Sequence, residues 1–73
     1  MHTGDDPVVG KLATVTHPIH PDRPGEVVLR IRGGTEVYMA VSDEELARGA
    51  EVLVVGHVSA RTVQVTAFAG GPG

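Results

Sequence analysis

Apolar and polar residues alternate through most of the chain, between two short ends rich in Gly, Pro and polar residues. A period of two is typical of strands with one buried face. It predicts five strands, at about Val9–His17, Glu26–Arg32, Thr35–Val41, Glu51–Val58 and Arg61–Ala67. The fourth segment is nearly continuous in apolar residues, which predicts burial on both of its faces.

Turn residues separate the predicted strands. Proline fixes φ and has no backbone N–H donor, so the segment from Pro18 to Pro24 is predicted to be a loop. Gly33 and Gly34 follow the second predicted strand and tolerate positive φ, which indicates a tight hairpin into the third strand.

The segment between the third and fourth predicted strands carries helix signals. Ser42 is a good N-cap, and Glu45 three residues later completes a capping-box pattern. Gly49 suits the position after a helix end, since it tolerates positive φ. We therefore predict one short helical turn at Asp43–Ala47, with Leu46 facing the core. Three strands, a helical connection and two more strands predict an all-β fold, a small five-stranded OB-like barrel.

Composition supports one small β-rich domain. A chain of 73 residues allows a single domain, and valine, a β-branched residue that favours strands, dominates its apolar set. We expect the barrel at residues 8–67, between a disordered leader at 1–7 and a flexible tail at 68–73. The sequence has no Cys, so it forms no disulfide and no thiolate metal site.

Charge bears on the choice of partner. The formal net charge is -3, whereas a nucleic-acid-binding surface concentrates Lys and Arg. An OB barrel that binds single strands also needs aromatic side chains for stacking, and the only strand aromatic is Tyr38, near Arg30 and Arg32. Single-stranded nucleic-acid binding is therefore the alternative function. No apolar run approaches the roughly 20 residues of a membrane-spanning helix, so we expect no direct membrane insertion by this segment.

The densest group of potential metal ligands is His17, His20 and Asp22. Imidazole and carboxylate both bind Zn²⁺ or Ni²⁺, and His57 is a candidate third ligand if the fold brings it near. The prolines around the two histidines prevent a helix, so these residues lack the same-face spacing of a helical site. We expect exposed loop histidines and no metal or cofactor.

No group of residues predicts catalysis. The consecutive carboxylates Asp43–Glu45 are explained by helix capping and the helix dipole, and Ser42 serves as the cap. Ser59 lies close to His57 in sequence, but proximity in sequence does not supply the geometry of a nucleophile and its base. We expect that the chain is not an enzyme.

A small patch of exposed apolar residues marks an interaction surface, whereas single exposed apolar residues are the commoner case and need no partner. Val28 is predicted to lie outward on the second strand, and Ile19 lies in the loop that we expect to be exposed. We predict a barrel that binds a protein or self-associates. The predicted interaction surface comprises Ile19, Val28, Arg30, Arg32 and Tyr38.

Five short motifs, spread from Gly10 to Val65, resemble one known family. They are Gly10-Lys11, Pro24-Gly25-Glu26-Val27, Ala40-Val41-Ser42, Leu46-Ala47-Arg48-Gly49-Ala50-Glu51-Val52-Leu53-Val54-Val55 and Val63-Gln64-Val65. In order and spacing they are similar to the soluble C-terminal domain of the NfeD family, an OB-like barrel usually attached to transmembrane helices. The loop His17–Arg23 is longer than the family pattern, and no transmembrane segment is present in this sequence.

The resemblance implies a role for the barrel. Some long members of the family carry a ClpP-like serine protease domain elsewhere, and the barrel is not the catalytic part. Short members are associated with stomatin- and flotillin-like membrane scaffold proteins. The resemblance therefore implies a non-catalytic interaction or assembly module, cytoplasmic and tethered to the membrane in the full-length protein.

Overall fold

Five strands make up most of the described chain. The computed structural model describes residues 8–31 and 33–68. The strands are β1 (Leu12–His17), β2 (Gly25–Ile31), β3 (Gly34–Val41), β4 (Glu51–Ser59) and β5 (Thr62–Ala67). Each overlaps its predicted counterpart. The predicted leader at 1–7, residues 69–73 of the predicted tail, and Arg32 lie outside the described residues.

The strands close into a barrel in the order β1-β2-β3-β5-β4, which confirms the predicted fold class. β1 pairs antiparallel with both β2 and β4, whereas β3 and β5 pair in parallel. The remaining pairs, β2 with β3 and β4 with β5, are antiparallel. This is the connectivity of an OB-like barrel, and closure pairs strand edges that an open sheet of this size would leave exposed.

The barrel interior is a core of mostly aliphatic side chains, with valine the commonest. Its buried members are Val8, Ala13, Val15, Ile19, Val27, Leu29, Tyr38, Ala40, Leu46, Val52, Val54, Val63 and Val65. In β3 the alternation places Tyr38 and Ala40 inside and leaves Val37 and Met39 outside. Both faces of β3 are thus partly apolar, and the period of two alone does not say which one faces the core.

The prediction that β4 is buried on both faces is wrong. Val52 and Val54 are fully buried, but Val55 is 46% exposed and Val58 is 59% exposed. The reason is closure: a strand in the wall of a small barrel has one face toward the core, and no other described element covers its outer face.

The predicted helical turn at Asp43–Ala47 is also wrong, because the described residues between β3 and β4 contain no helix. The backbone N–H and C=O of Leu46 both bond to the backbone of Ile19, at 2.9 Å each, which holds this segment extended. Ser42 Oγ accepts a hydrogen bond from the Glu44 N–H at 3.1 Å and so caps a turn. The predicted burial of Leu46 is confirmed.

The described residues include no helix that is long and apolar enough to span a bilayer.

Candidate interaction surface

The loop between β1 and β2 is fastened to the barrel by Ile19. Its backbone forms an antiparallel bridge with Leu46, and its side chain is completely buried in the core. The prediction that Ile19 lies on an exposed surface is therefore wrong. The flanking prolines do mark a loop, but this loop folds back over the end of the barrel and inserts its one large aliphatic side chain into the core.

The two loop histidines contact different carboxylates. His17 Nδ1 lies 2.8 Å from Glu26 Oε1, and His20 Nδ1 lies 3.4 Å from Glu45 Oε2. Among the residues that the structure describes, no three His, Asp or Glu side chains are grouped so that they could hold a metal ion. The structure thus does not assemble His17, His20 and Asp22 into a ligand set.

Glu26 is held in its charged form on the outer face of β2. The Thr16 hydroxyl donates to Glu26 Oε1 at 2.8 Å, and His17 contacts the same oxygen. These two hydrogen bonds, that of Thr16 first, hold the pKa of Glu26 below its ordinary value. In the β2–β3 ladder Glu26 pairs with Met39, so a carboxylate flanks an exposed apolar side chain.

Tyr38 lies on the inner face of β3, so the prediction that it shares an outer surface with Val28 is wrong. Its hydroxyl donates to Glu36 Oε1 at 3.2 Å, and the Arg61 guanidinium lies 4.9 Å from its ring centroid. The His57 ring approaches its edge at 6.3 Å between centroids. A buried ring offers no platform for base stacking, so this geometry does not favour the nucleic-acid alternative.

An apolar stripe crosses the outer face of four strands. Leu53 pairs with Leu12 between β4 and β1, and Val28 pairs with Val37 between β2 and β3. Met39 follows on β3, two residues after Val37. We call these five residues the apolar stripe. Leu12 is 42% exposed, Val37 is 47% exposed and Met39 is 50% exposed, whereas Val28 and Leu53 are half-buried.

Sequence reasoning identified only Val28 of the apolar stripe. Strand periodicity defines the two faces of each strand, but the stripe depends on the register between strands. Leu12 and Leu53 become neighbours only because β1 and β4 pair to close the barrel. No local signal in the sequence reveals that pairing.

An open groove of about 590 Å³, which we call the outer groove, covers the centre of the apolar stripe. It is lined by Leu12, Ala13, Thr14, Val28, Arg30, Thr35 and Glu51. Arg30 lies two residues beyond Val28, on one side of the stripe, and the structure thus places these two predicted surface residues side by side.

Glu51 lies on the other side of the apolar stripe, where it pairs with Thr14. Within residues 8–31 and 33–68, no ion pair or side-chain hydrogen bond involves the Arg30 guanidinium or the Glu51 carboxylate. Both charged groups beside the stripe are therefore available to a partner.

The topology and this surface define the class: a small OB-like barrel domain with an exposed apolar stripe on its outer face. Residues 12–66 match the NfeD C-terminal domain. Because this match covers most of the chain, the chain belongs to the NfeD C-terminal domain family, which confirms the resemblance seen in the sequence motifs.

Two solved structures are similar to the chain. The soluble domain of the NfeD protein YuaF from Bacillus subtilis is 35% identical, with a TM-score of 0.69 over 80% of this chain and 70% of that one. The C-terminal domain of stomatin operon partner protein 1510-C from Pyrococcus horikoshii is 26% identical, with a TM-score of 0.67 over 92% of this chain and 97% of that one. No curated protein matches the chain.

Proposed function

We propose that this barrel is a non-catalytic interaction module that binds a stomatin- or flotillin-like scaffold protein through the apolar stripe. The observation that carries the proposal is the continuity of the stripe across β4, β1, β2 and β3. Leu12 and Val28 are diagonal neighbours in it, because Val28 pairs with Thr14, two residues after Leu12. Scattered exposed apolar residues are normal on a protein surface, whereas a contiguous patch with a polar rim is typical of an interface.

The association with a stomatin-like partner is supported by the relatives. The Pyrococcus horikoshii domain, which has the same fold, belongs to a protein named as a stomatin operon partner. Members of this family are associated with stomatin-like proteins. For this chain we propose the same kind of association, on the cytoplasmic side of a membrane to which the full-length protein is tethered.

The surroundings of the candidate catalytic groups support a non-catalytic role. Within Asp43–Glu45, the carboxylates of Glu44 and Glu45 contact different residues: Glu44 accepts a hydrogen bond from the Thr66 hydroxyl at 2.9 Å, and Glu45 contacts His20. Ser42 is buried and holds the turn through the Glu44 N–H. A nucleophile needs an adjacent base within hydrogen-bond reach, and Ser42 has none among its recorded contacts with described residues.

The test is a titration of isotope-labelled protein followed by two-dimensional amide spectra. One titration uses the soluble segment of a stomatin-like protein, and a second uses a single-stranded oligonucleotide. We expect shifts with the stomatin-like segment, concentrated at the apolar stripe and at Arg30 and Glu51. Shifts with the oligonucleotide alone, or shifts with the protein segment that map elsewhere on the barrel, would contradict the proposal.

A further inference from the structure

We infer that the outer groove receives an amphipathic α-helix whose apolar face is flanked by acidic residues on one side and basic residues on the other. This inference rests on the proposed function and names the kind of segment that the partner presents. It is supported by three independent features of the groove: its backbone pairing, its dimensions and its charges.

The two central strands of the outer groove, β1 and β2, have no free edge to which a peptide can add. Thr35, at the rim of the groove, lies on the partly open edge of β3. Leu12–Thr14 of β1 pairs with β4, while Ala13 and Thr14 also pair with β2. In β2, Val28 pairs with β1 on one side and with β3 on the other. An extended peptide gains much of its affinity from main-chain hydrogen bonds to an open edge. A helix satisfies its own backbone groups and can bind through side chains alone.

The spacing of the charged flanks matches the width of a helix. Glu51 lies on β4 and Arg30 on β2, with β1 between them. Along the strand direction the two positions are offset by two residues. Strands lie about 4.8 Å apart and alternate residues about 6.8 Å apart, so the two Cα positions are separated by roughly 12 Å. A helix with its side chains is about 10–12 Å wide.

The length of the apolar stripe fits a few helical turns. From Leu53 on β4 to Met39 on β3 the stripe crosses three gaps between neighbouring strands and shifts by four residues along them. This corresponds to roughly 20 Å. At 1.5 Å per residue, a helix of about 13 residues covers this distance. Apolar residues at positions i, i+3, i+4 and i+7 would then face Leu12, Val28 and Val37.

The flanks carry opposite charges. Arg30 stands on one side of the apolar stripe, and Glu51 and Glu26 stand on the other. Acidic side chains of a docked helix would face Arg30, and basic side chains would face the two glutamates. Complementary charges at an interface add specificity and speed association, and the free Arg30 and Glu51 are suited to this role.

The probes are three side-chain-stapled helical peptides of about 14 residues with the same apolar face. One carries Glu on one flank and Lys on the other, the second carries Lys on both flanks, and the third carries Glu on both flanks. A helix can lie in the groove in either direction, so the peptides with like-charged flanks make the discriminating comparison. Dissociation constants are measured by calorimetry with the full chain at two salt concentrations.

We expect the mixed peptide to bind the native protein about tenfold more tightly than either other peptide at low salt. R30E makes both flanks acidic and is expected to shift the preference to the peptide with two Lys flanks. E51R places a basic side chain across the groove from Arg30, with Glu26 still present further along that flank, and is expected to shift the preference toward the peptide with two Glu flanks. R23E, which makes the same charge change in the β1–β2 loop, is the matched control and should keep the native preference.

An order of affinity that stays the same in R30E and E51R overturns the inference, as does a failure of all three peptides to bind. If the peptides fail while the stomatin-like segment still shifts the amides of the apolar stripe, the helix inference is wrong and the proposed function stands. If that segment also leaves those amides unmoved, both are wrong. Amide spectra of each variant establish that it is folded.

Discussion

Gly25 begins β2 and lies directly against the backbone of the β1–β2 loop. A Cβ atom at this position would overlap the carbonyl oxygens of His17 and Pro18 and lie 2.6 Å from Ile19 Cγ1. Backbone atoms cannot move aside as the end of a flexible side chain can, so glycine is required here by close approach.

We expect G25A to lower the free energy of unfolding by about 2–4 kcal/mol, measured by urea denaturation. G56A is the matched control, since a Cβ at Gly56 in β4 meets no heavy atom within 4 Å. Its expected change is within about 0.5 kcal/mol. Equal stability of the two variants would show that the close approach at Gly25 does not constrain the fold.

Thr16 is expected to lower the pKa of Glu26 through its hydrogen bond. Because hydrogen bonds hold the pKa of Glu26 below its value in the unfolded chain, the ionised form stabilises the fold above that unfolded pKa. This contribution is lost as the pH falls through the folded pKa. T16V removes the larger of the two hydrogen bonds, so the pKa of Glu26 should rise toward its ordinary value in a carbon-detected pH titration.

The control for this titration is T35V, which removes a hydroxyl on β3 that does not contact Glu26. It should leave the pKa of Glu26 in place. H17N removes the imidazole, which lowers this pKa through a hydrogen bond and a coulombic interaction, and should also raise the pKa of Glu26. A titration of Glu26 that is the same in T16V and in the native protein would contradict the account.

At the scale of elements, the β1–β2 loop is predicted to depend on a single side chain. Ile19 is fully buried, and its backbone bridges to Leu46. I19A is expected to cost about 2–5 kcal/mol of unfolding free energy, from lost burial and the cavity left behind. V58A, at a position that is 59% exposed, should change stability by less than about 0.5 kcal/mol in the same denaturation experiment. A small effect of I19A would mean that the loop is not anchored through the core.

β3 has a partly open edge that Arg61 covers. Among the described strands, Gly34–Val37 pairs with β2 alone, because the pairing with β5 begins at Met39. Arg61 Nη2 donates to the Val37 carbonyl at 3.0 Å, and Arg61 Nη1 lies 3.9 Å from the Glu36 carboxylate. A charged side chain on a strand edge discourages pairing with another molecule.

R61A is therefore expected to increase self-association, seen as a concentration-dependent sedimentation coefficient. R48A removes a charge from the turn before β4 and is the control, which should sediment as the native protein does. Identical sedimentation of R61A and the native protein would show that Arg61 does not protect this edge.

The strands were predictable because β1, β2, β3 and β5 have a period of two, β4 has a nearly continuous apolar run, and Gly or Pro turns border β1 to β4. The helical turn was not, because the capping pattern of Ser42 and Glu45 is local, whereas the bridge from Leu46 to Ile19 joins residues far apart in sequence. The same bridge explains why the sequence did not reveal that Ile19 is buried. In both cases a tertiary contact overrides a local preference.

At the scale of the whole molecule, barrel closure creates the surface on which the proposed function depends. Leu12 and Leu53 lie far apart in sequence and meet on the outer face because β1 and β4 pair. The sequence indicated an outward Val28 beside Arg30, but the apolar stripe and its acidic flank follow from the register of four strands. A pattern within one strand carries no information about that register.

The most direct test of the central claim compares the binding of V37D and V58D to the soluble segment of a stomatin-like protein. The two valines are 47% and 59% exposed and both lie in strands, but only Val37 belongs to the apolar stripe. We predict that V37D raises the dissociation constant at least about tenfold, or about 1.4 kcal/mol, while V58D leaves it unchanged. Equal effects of the two substitutions, or a larger effect of V58D, would contradict the claim that the apolar stripe is the binding surface.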